Sequence, residues 1–502
     1  MSDKDRKRIV MFSAEAAPYV KVGGLADVVG ALPKVLDQLG AQVTIVLPAY
    51  QVIAREKFGI HPSAVVPSFD IPMGPEVVRA EVAQTTVPGT RVEVFFVGGG
   101  GYFAREGVYD DPETKEGYPD NVQRLAFYAK AGLELVRRLK QPVDVIHCHD
   151  SQTALIPGLL STVYRNDPFF AHTGCLLTVH NLAYQGLYEK EALFWAGIDS
   201  GYFAPLSPFE YWGKVNFMKV GLEFADLINT VSVNYAREIQ SGPDYGYGLE
   251  DVLKRRAGDL YGIVNGIDYD EWNPETDPLV AAHYSMQDLS GKADCKAALL
   301  QTMKLPRRKG RVPLIGIISR LADQKGFDLI GEAIEEIAAQ DMQMVLLGTG
   351  QLKYHELFEN ISARYPQKFG VKLGFDNRLA HQIEAGADMF LMPSKYEPCG
   401  LNQLYSLRYG TVPIVRSTGG LADTIADYDL KGDSGTGFVF KDYSAADMMT
   451  AIERALVIYA DLERWRRLVV RDMMQRWSWE ESARKYMDLY EKIYWKRHAH
   501  SR

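Results

Sequence analysis

Short apolar runs, each ending in polar or glycine residues and most followed by a helical stretch, recur along this chain and leave few folds open. Ile9-Val10-Met11-Phe12 ends at Ser13-Ala14-Glu15 and reads as a buried parallel strand. A glycine-containing loop follows, then helical periodicity over residues 25–39 with Gly40 as a stop. Residues 43–47 form the next strand. Strand, helix and strand make a βαβ unit, which predicts a parallel sheet with right-handed crossovers. Residues 92–97, 143–148, 175–179, 227–232 and 261–266 continue the series. After the basic, turn-rich Pro306-Arg307-Arg308-Lys309-Gly310, a second series begins at 314–318, 344–347, 389–392 and 412–415. Residues 445–497 read as largely helical and are rich in Trp, Tyr and Arg.

Length supports two halves. The chain has 502 residues, and single cores rarely grow beyond about 250–300. The expected fold class is therefore α/β, with two doubly wound, Rossmann-like domains. Ligands in such sheets bind beyond the carboxyl ends of the strands, so facing sheets predict a site in a deep cleft between domains. The expected divisions are 1–264, 265–480 and a final helix at 481–502.

Composition removes other classes. A formal net charge of −8 argues against a nucleic-acid partner. Local cations and helix N-termini still permit an anionic ligand. None of the four cysteines pairs as CxxC, so neither a zinc ribbon nor a thioredoxin motif is expected. Sparse cysteines suit a reducing cytoplasm. The start, residues 1–8, is polar, and the apolar run after it is too short for a signal-peptide core. No apolar run reaches the roughly 18 residues of a membrane span.

Several strand ends carry candidate chemistry. In Lys21-Val22-Gly23-Gly24-Leu25, two glycines allow close approach of a ligand, and the following helix offers free N–H groups to phosphate beside the Lys21 cation. Taken alone, the loop reads first as a tight turn with an exposed lysine. It is neither GxGxxG nor a Walker A loop, which removes the standard nucleotide readings and a nicotinamide oxidoreductase. In His147-Cys148-His149-Asp150, alternation puts the two histidines on one face and Asp150 on the other, so no shared metal is expected. Asp150 is preferred as an acceptor for sugar hydroxyls, with a helix cap as the alternative. His180 and Asn181 suit neutral sugar hydroxyls, although a structural histidine reads as well.

The second half supplies cations and a carboxylate. Arg320 and Lys325, placed after a strand, match a departing diphosphate, because preorganised cations stabilise charge growing on the leaving oxygen. A solvated basic loop is the plain alternative. In Glu397-Pro398-Cys399-Gly400-Leu401, amides at Gly400 and Leu401 are expected to face a ligand near a helix start, with Glu397 beside them. Glu397 as a simple N-terminal cap is the other reading. No second carboxylate of the glycosidase kind is evident.

Together these stretches resemble the bacterial glycogen synthases and plant starch synthases, retaining glucosyltransferases of the GT-B fold. The resemblance rests on Lys21-Val22-Gly23-Gly24-Leu25, residues 178–186, Gly262-Ile263-Val264-Asn265-Gly266-Ile267-Asp268, residues 319–326, Glu397-Pro398-Cys399-Gly400-Leu401 and residues 409–421, in family order over almost the whole chain. It implies ADP-glucose (favoured) or UDP-glucose as donor, an α-1,4-glucan as acceptor, and neither metal nor cofactor. It implies that Lys21, Arg320 and Lys325 hold the diphosphate. Asp150, His180, Asn181, Asn265 and Glu397 would surround the glucose, with Gly23, Gly24, Cys399, Gly400 and Leu401 completing the donor site. It also implies a last helix that returns to the first domain. Two positions depart from the family pattern: Ser151 stands where Trp often follows, and residues 98–105 are glycine-rich where Asp usually precedes Arg. These touch the acceptor side, where Tyr102 is a candidate for stacking on glucan rings. Rival readings are a transferase to a small acceptor or lipid, and a non-catalytic glucan-binding scaffold. The retained Lys21, Arg320, Lys325 and Glu397 weigh against the scaffold.

Overall fold

The apolar runs fold as two parallel sheets in a computed structural model that describes residues 6–114 and 116–499. Most of the polar start, residues 1–5, lies outside the described residues. The chain divides into two units. The first holds residues up to Val231, Ala236–Ile263 and the segment from Trp479; the second holds Ser232–Tyr235 and Val264–Ser478.

In the first unit the strands are β1 (Arg8–Phe12), β2 (Gln42–Pro48), β3 (His61–Pro62), β4 (Ser68–Met73), β5 (Glu76–Thr86), β6 (Glu93–Gly99), β7 (Val145–His149), β8 (Gly174–Val179), β9 (Leu187–Tyr188), β10 (Val215–Asn216), β11 (Leu227–Thr230) and β12 (Leu260–Gly262). The large sheet runs β12-β11-β8-β7-β1-β2-β6-β5-β3, with β4 beside β5, while β9 and β10 pair separately. Pairing is parallel from β12 to β6 and antiparallel among β3, β4, β5 and β6. This antiparallel wing is not foreseen by a search for continuous apolar runs. Ser68–Met73 alternates buried and exposed residues, the mark of a sheet with one wet face.

The second unit contains β13 (Leu314–Leu321), β14 (Gln343–Gly350), β15 (Phe369–Leu373), β16 (Met389–Met392), β17 (Val412–Arg416) and β18 (Phe438–Phe440). They are ordered β15-β14-β13-β16-β17-β18 and all pairs are parallel. Alternation sends Ile315, Ile317, Met344 and Leu346 into one core and Leu314, Val345 and Leu347 into another. Both faces are thus buried, which is why these strands read as unbroken apolar runs.

The C-terminal stretch forms helices Ala445–Ala460, Leu462–Met473 and Trp479–His498. The last packs on helix Gly24–Gln38 and on β7 and β8 of the first unit, burying Tyr486, Tyr490 and Ile493. Among the described residues no helix is long and apolar enough to cross a membrane.

Candidate active site

Within the parallel run of each large sheet the strand order reverses at one point. In the first unit the reversal lies between β1 and β7, and in the second between β13 and β16. At such a point two neighbouring loops leave the sheet in opposite directions and open a crevice at the strand ends. Most of the residues singled out from the sequence sit on these loops.

In the second unit, Arg320 is near the end of β13, exposed and in register with Thr349 of β14. Lys325 ends the short turn Asp323–Lys325 that follows. Its ammonium contacts both oxygens of Glu397, at 2.9 Å to Oε1 and 2.7 Å to Oε2. Ser394 Oγ donates to Glu397 Oε2 at 2.9 Å. Glu397 is therefore not a helix cap: helix Asn402–Tyr409 is capped at Leu401 with no side-chain bond. Its side chain is 7% exposed and that of Lys325 18%. Pairing is what permits a charge to be held at such burial. Backbone bonds join the two loops as well, with Lys395 N–H donating to Gln324 O at 2.8 Å.

The turn after Glu397 is set by glycines. Gly400 has φ +71°, a left-handed value that side chains disfavour. Gly420 N–H donates to Glu397 O at 3.0 Å, and a Cβ on Gly420 would lie 2.0 Å from Cys399 O. Residues Gly419 and Gly420 thus act as a floor on which the 397–399 turn rests. They lie outside the set of site residues chosen from the sequence. Burial pushes the Cys399 thiol up to about 12, so it stays protonated, and the Asn265 N–H donates to its sulfur. Asn265 Oδ1 is buried with no protein partner among the described residues.

In the first unit, the loop after β1 is organised by Glu15, which also lies outside that set. Its Oε2 accepts the amides of Val22 at 2.5 Å and Gly23 at 2.8 Å, and Oε1 accepts the Tyr109 hydroxyl at 2.5 Å. The Gly23 N–H is thus taken up by a carboxylate, and the amides that face outward from this loop are those of the helix that follows. Gly24 begins the helix Gly24–Gln38, where first-turn amides lack intrahelical acceptors. Gly23 keeps a different value, since a Cβ there would meet nothing within 4 Å. Lys21 is exposed and pairs with Asp27 at 2.5 Å.

Asp150 follows β7 with φ +55°, a strained value that Asp tolerates better than most residues. It does not cap the next helix. Its Oδ1 accepts the backbone amides of His180 at 2.7 Å and Asn181 at 3.4 Å, joining the ends of β7 and β8. Burial pushes its carboxyl up to about 7 against the pull of those amides, and charge at Glu15 adds to the rise. His180 is pushed down to about 3 by burial, so its ring is neutral. His149, outside the site set, lies 3.0 Å from the His180 ring through Nδ1. Tyr102 stands apart at the end of β6, its ring against Phe127 at 5.3 Å and its carbonyl accepting from Arg124 at 2.8 Å. Among the described residues no group of His, Cys, Asp and Glu is arranged to hold a metal ion.

A pH prediction follows from Asp150. The unfolded carboxyl releases its proton near ~4, whereas the folded one holds it to about 7. Stability from this group is full below ~4 and is lost as pH rises through about 7. Asp150→Asn should therefore raise the melting temperature more at pH 8 than at pH 5, measured against wild type by scanning calorimetry. Equal shifts at both pH values would contradict the raised carboxyl.

Residues 8–255 match the family described as Starch synthase catalytic domain, and residues 303–467 match Glycosyl transferases group 1. A glycogen synthase of Thermosipho africanus is 42% identical over 493 residues, covering 98% of this chain and 100% of that one. Glycogen synthase 1 of Geobacter metallireducens is 45% identical, with 96% and 95% covered. Among solved structures, the catalytic domain of starch synthase IV from Arabidopsis thaliana, bound to ADP and acarbose, superposes with a TM-score of 0.89 at 33% identity, covering 97% of this chain and 99% of that one. With near-complete coverage at these identities, the chain belongs to the glycogen and starch synthase family of glucosyltransferases.

Proposed function

We propose that this chain moves glucose from ADP-glucose to the non-reducing end of an α-1,4-glucan with retention of configuration, using Arg320, Lys325, Glu397, Asp150 and His180. The observation that carries the residue assignment is the Lys325–Glu397 pair, bonded at 2.9 and 2.7 Å beside the point where the second sheet reverses its order. An ammonium has three donors. Two face Glu397, and the third is left for a phosphate oxygen of the leaving nucleotide. Arg320 adds a planar, permanently charged group for the same diphosphate.

As the bond from the sugar to the nucleotide lengthens, negative charge gathers on the leaving oxygen and positive charge at the anomeric carbon. Lys325 and Arg320 lower the energy of the first, and the Glu397 carboxylate and the His180 backbone carbonyl that of the second. The acceptor hydroxyl attacks from the face the nucleotide leaves and passes its proton to the departing phosphate oxygen, which retains configuration. Asp150, His180, Asn181 and Asn265 hold the sugar hydroxyls. Lys21 and the first helical amides from Gly24 serve the diphosphate from the first unit. ADP as the nucleotide and a glucan-like acceptor are favoured because the related starch synthase structure carries ADP and acarbose.

The test is incorporation of labelled glucose into glycogen from ADP-glucose and, in parallel, UDP-glucose. The expected result is transfer to glycogen with the higher kcat/KM for ADP-glucose. Transfer only to a small acceptor or lipid would refute the acceptor, and a preference for UDP-glucose would refute the donor.

A further inference from the structure

A buried chain of hydrogen bonds in the first unit determines which nitrogens of its histidines carry protons. Tyr490, on the last helix, places its hydroxyl 2.8 Å from His147 Nδ1, and His147 Nε2 lies 2.6 Å from Thr178 Oγ1. Thr178 donates its one proton to Asn229 Oδ1 at 2.5 Å, and Asn229 Nδ2 donates to Tyr486 at 3.1 Å. With its proton committed, Thr178 accepts from His147, so His147 carries hydrogen on Nε2 and accepts from Tyr490 on Nδ1. Burial holds His147 and His149 well below the ordinary range, so both are neutral. The two rings lie 4.1 Å apart between centroids, tilted by 35° to one another.

His149 comes next in this column. Its Nδ1 is 3.0 Å from His180 Nε2. Its Nε2 is buried with no hydrogen-bond partner among the described residues. Between two neutral imidazoles one nitrogen donates and the other accepts. If His180 were the donor, His149 would carry its proton on Nε2 and leave a buried N–H without an acceptor. If His149 donates, its Nε2 is only an unused lone pair. Buried orphan N–H groups are rarer than under-used acceptors. The second arrangement leaves His180 protonated on Nδ1.

We propose that His149 is a positioning residue that donates from Nδ1 to His180 Nε2, so that His180 presents an Nδ1–H donor to a hydroxyl of the transferred glucose. The sugar contact rests on the function proposed above; the tautomer does not. Reversing the tautomer turns a donor toward the sugar into an acceptor and removes that bond. His149 touches no substrate atom in this account and acts only through the second ring.

The experiment reads the two parts separately. Ring nitrogen resonances of 15N-histidine-labelled wild-type enzyme, assigned with His149→Asn and His180→Asn, should show His180 protonated on Nδ1 and bare at Nε2. Protonation on Nε2 overturns the inference whatever the enzyme's activity. In glucose transfer to glycogen, His149→Leu should lower kcat about 10-fold, the scale of a lost orienting partner, with a smaller change in donor KM. His149→Asn, whose amide keeps a donor near the Nδ1 position, should restore most of the loss. Unchanged kcat in His149→Leu, or equal losses in both variants, overturns the positioning role. If wild-type enzyme failed to transfer to glycogen while His180 still carried its proton on Nδ1, the sugar contact would fall and the tautomer would stand.

Discussion

Lys325→Ala should lower kcat for glucose transfer by about 10² or more, the scale of a lost oxyanion donor. Two losses combine. The leaving diphosphate loses a preorganised cation, and Glu397 loses both contacts, at 2.9 and 2.7 Å, that hold its carboxylate. Among the described residues only the Ser394 hydroxyl, at 2.9 Å, still bonds that side chain. A carboxylate this buried is costly to keep in place without its cation, so its side chain moves. Lys325→Ala and Glu397→Gln should therefore be non-additive, since the first already disables the second. Lys325→Arg should recover little, because a planar fork does not fit a site built around a point charge. The measurement is steady-state transfer to glycogen with nucleotide binding followed by calorimetry. Full turnover with intact donor binding would end the proposed role of Lys325.

Gly420→Ala should have an effect of similar size for a different reason. The added methyl would sit 2.0 Å from Cys399 O and 2.6 Å from Cys399 C and Cα, all backbone atoms that a rotamer change cannot move. Gly420 is the second residue of helix Gly419–Thr424 and its φ is not left-handed, so the substitution adds bulk without backbone strain. The 397–399 turn must shift, and Glu397 with it. A displacement of about 1 Å in a reacting group costs on the order of 10²-fold. Gly258→Ala, where a Cβ meets nothing within 4 Å, is the matched control and should leave transfer unchanged. Wild-type kcat in Gly420→Ala would show that the turn can move without consequence for catalysis.

Much of this site is legible in residue order because strand ends are legible. A buried parallel strand is a continuous apolar run, so the residues just beyond it announce themselves. That is how Asp150, His180, Arg320 and Glu397 come forward from their local surroundings. Residues whose importance lies in what they touch do not come forward. Glu15 lies in the loop after an ordinary strand, and only the fold reveals that it holds the Val22 and Gly23 amides. Gly420 shows its constraint only against Cys399, a neighbour distant in sequence. The antiparallel wing at β4 and β5 was hidden for another reason, since an alternating strand with one wet face carries a weaker signal than a fully buried one.

Local pattern alone, then, determined the α/β class, the two series of strands and the loops that carry charge, because periodicity and turn chemistry are properties of neighbouring residues. Tertiary structure decided the partners. It paired Lys325 with Glu397, filled the Gly23 amide with Glu15, and set His149 against His180. The first and last of these join loops or strands that the sheet order brings side by side, while Glu15 and Gly23 meet where one loop folds back on itself. Hydrogen bonds and burial act over a few ångströms of space, and only the folded chain specifies which groups stand at that distance.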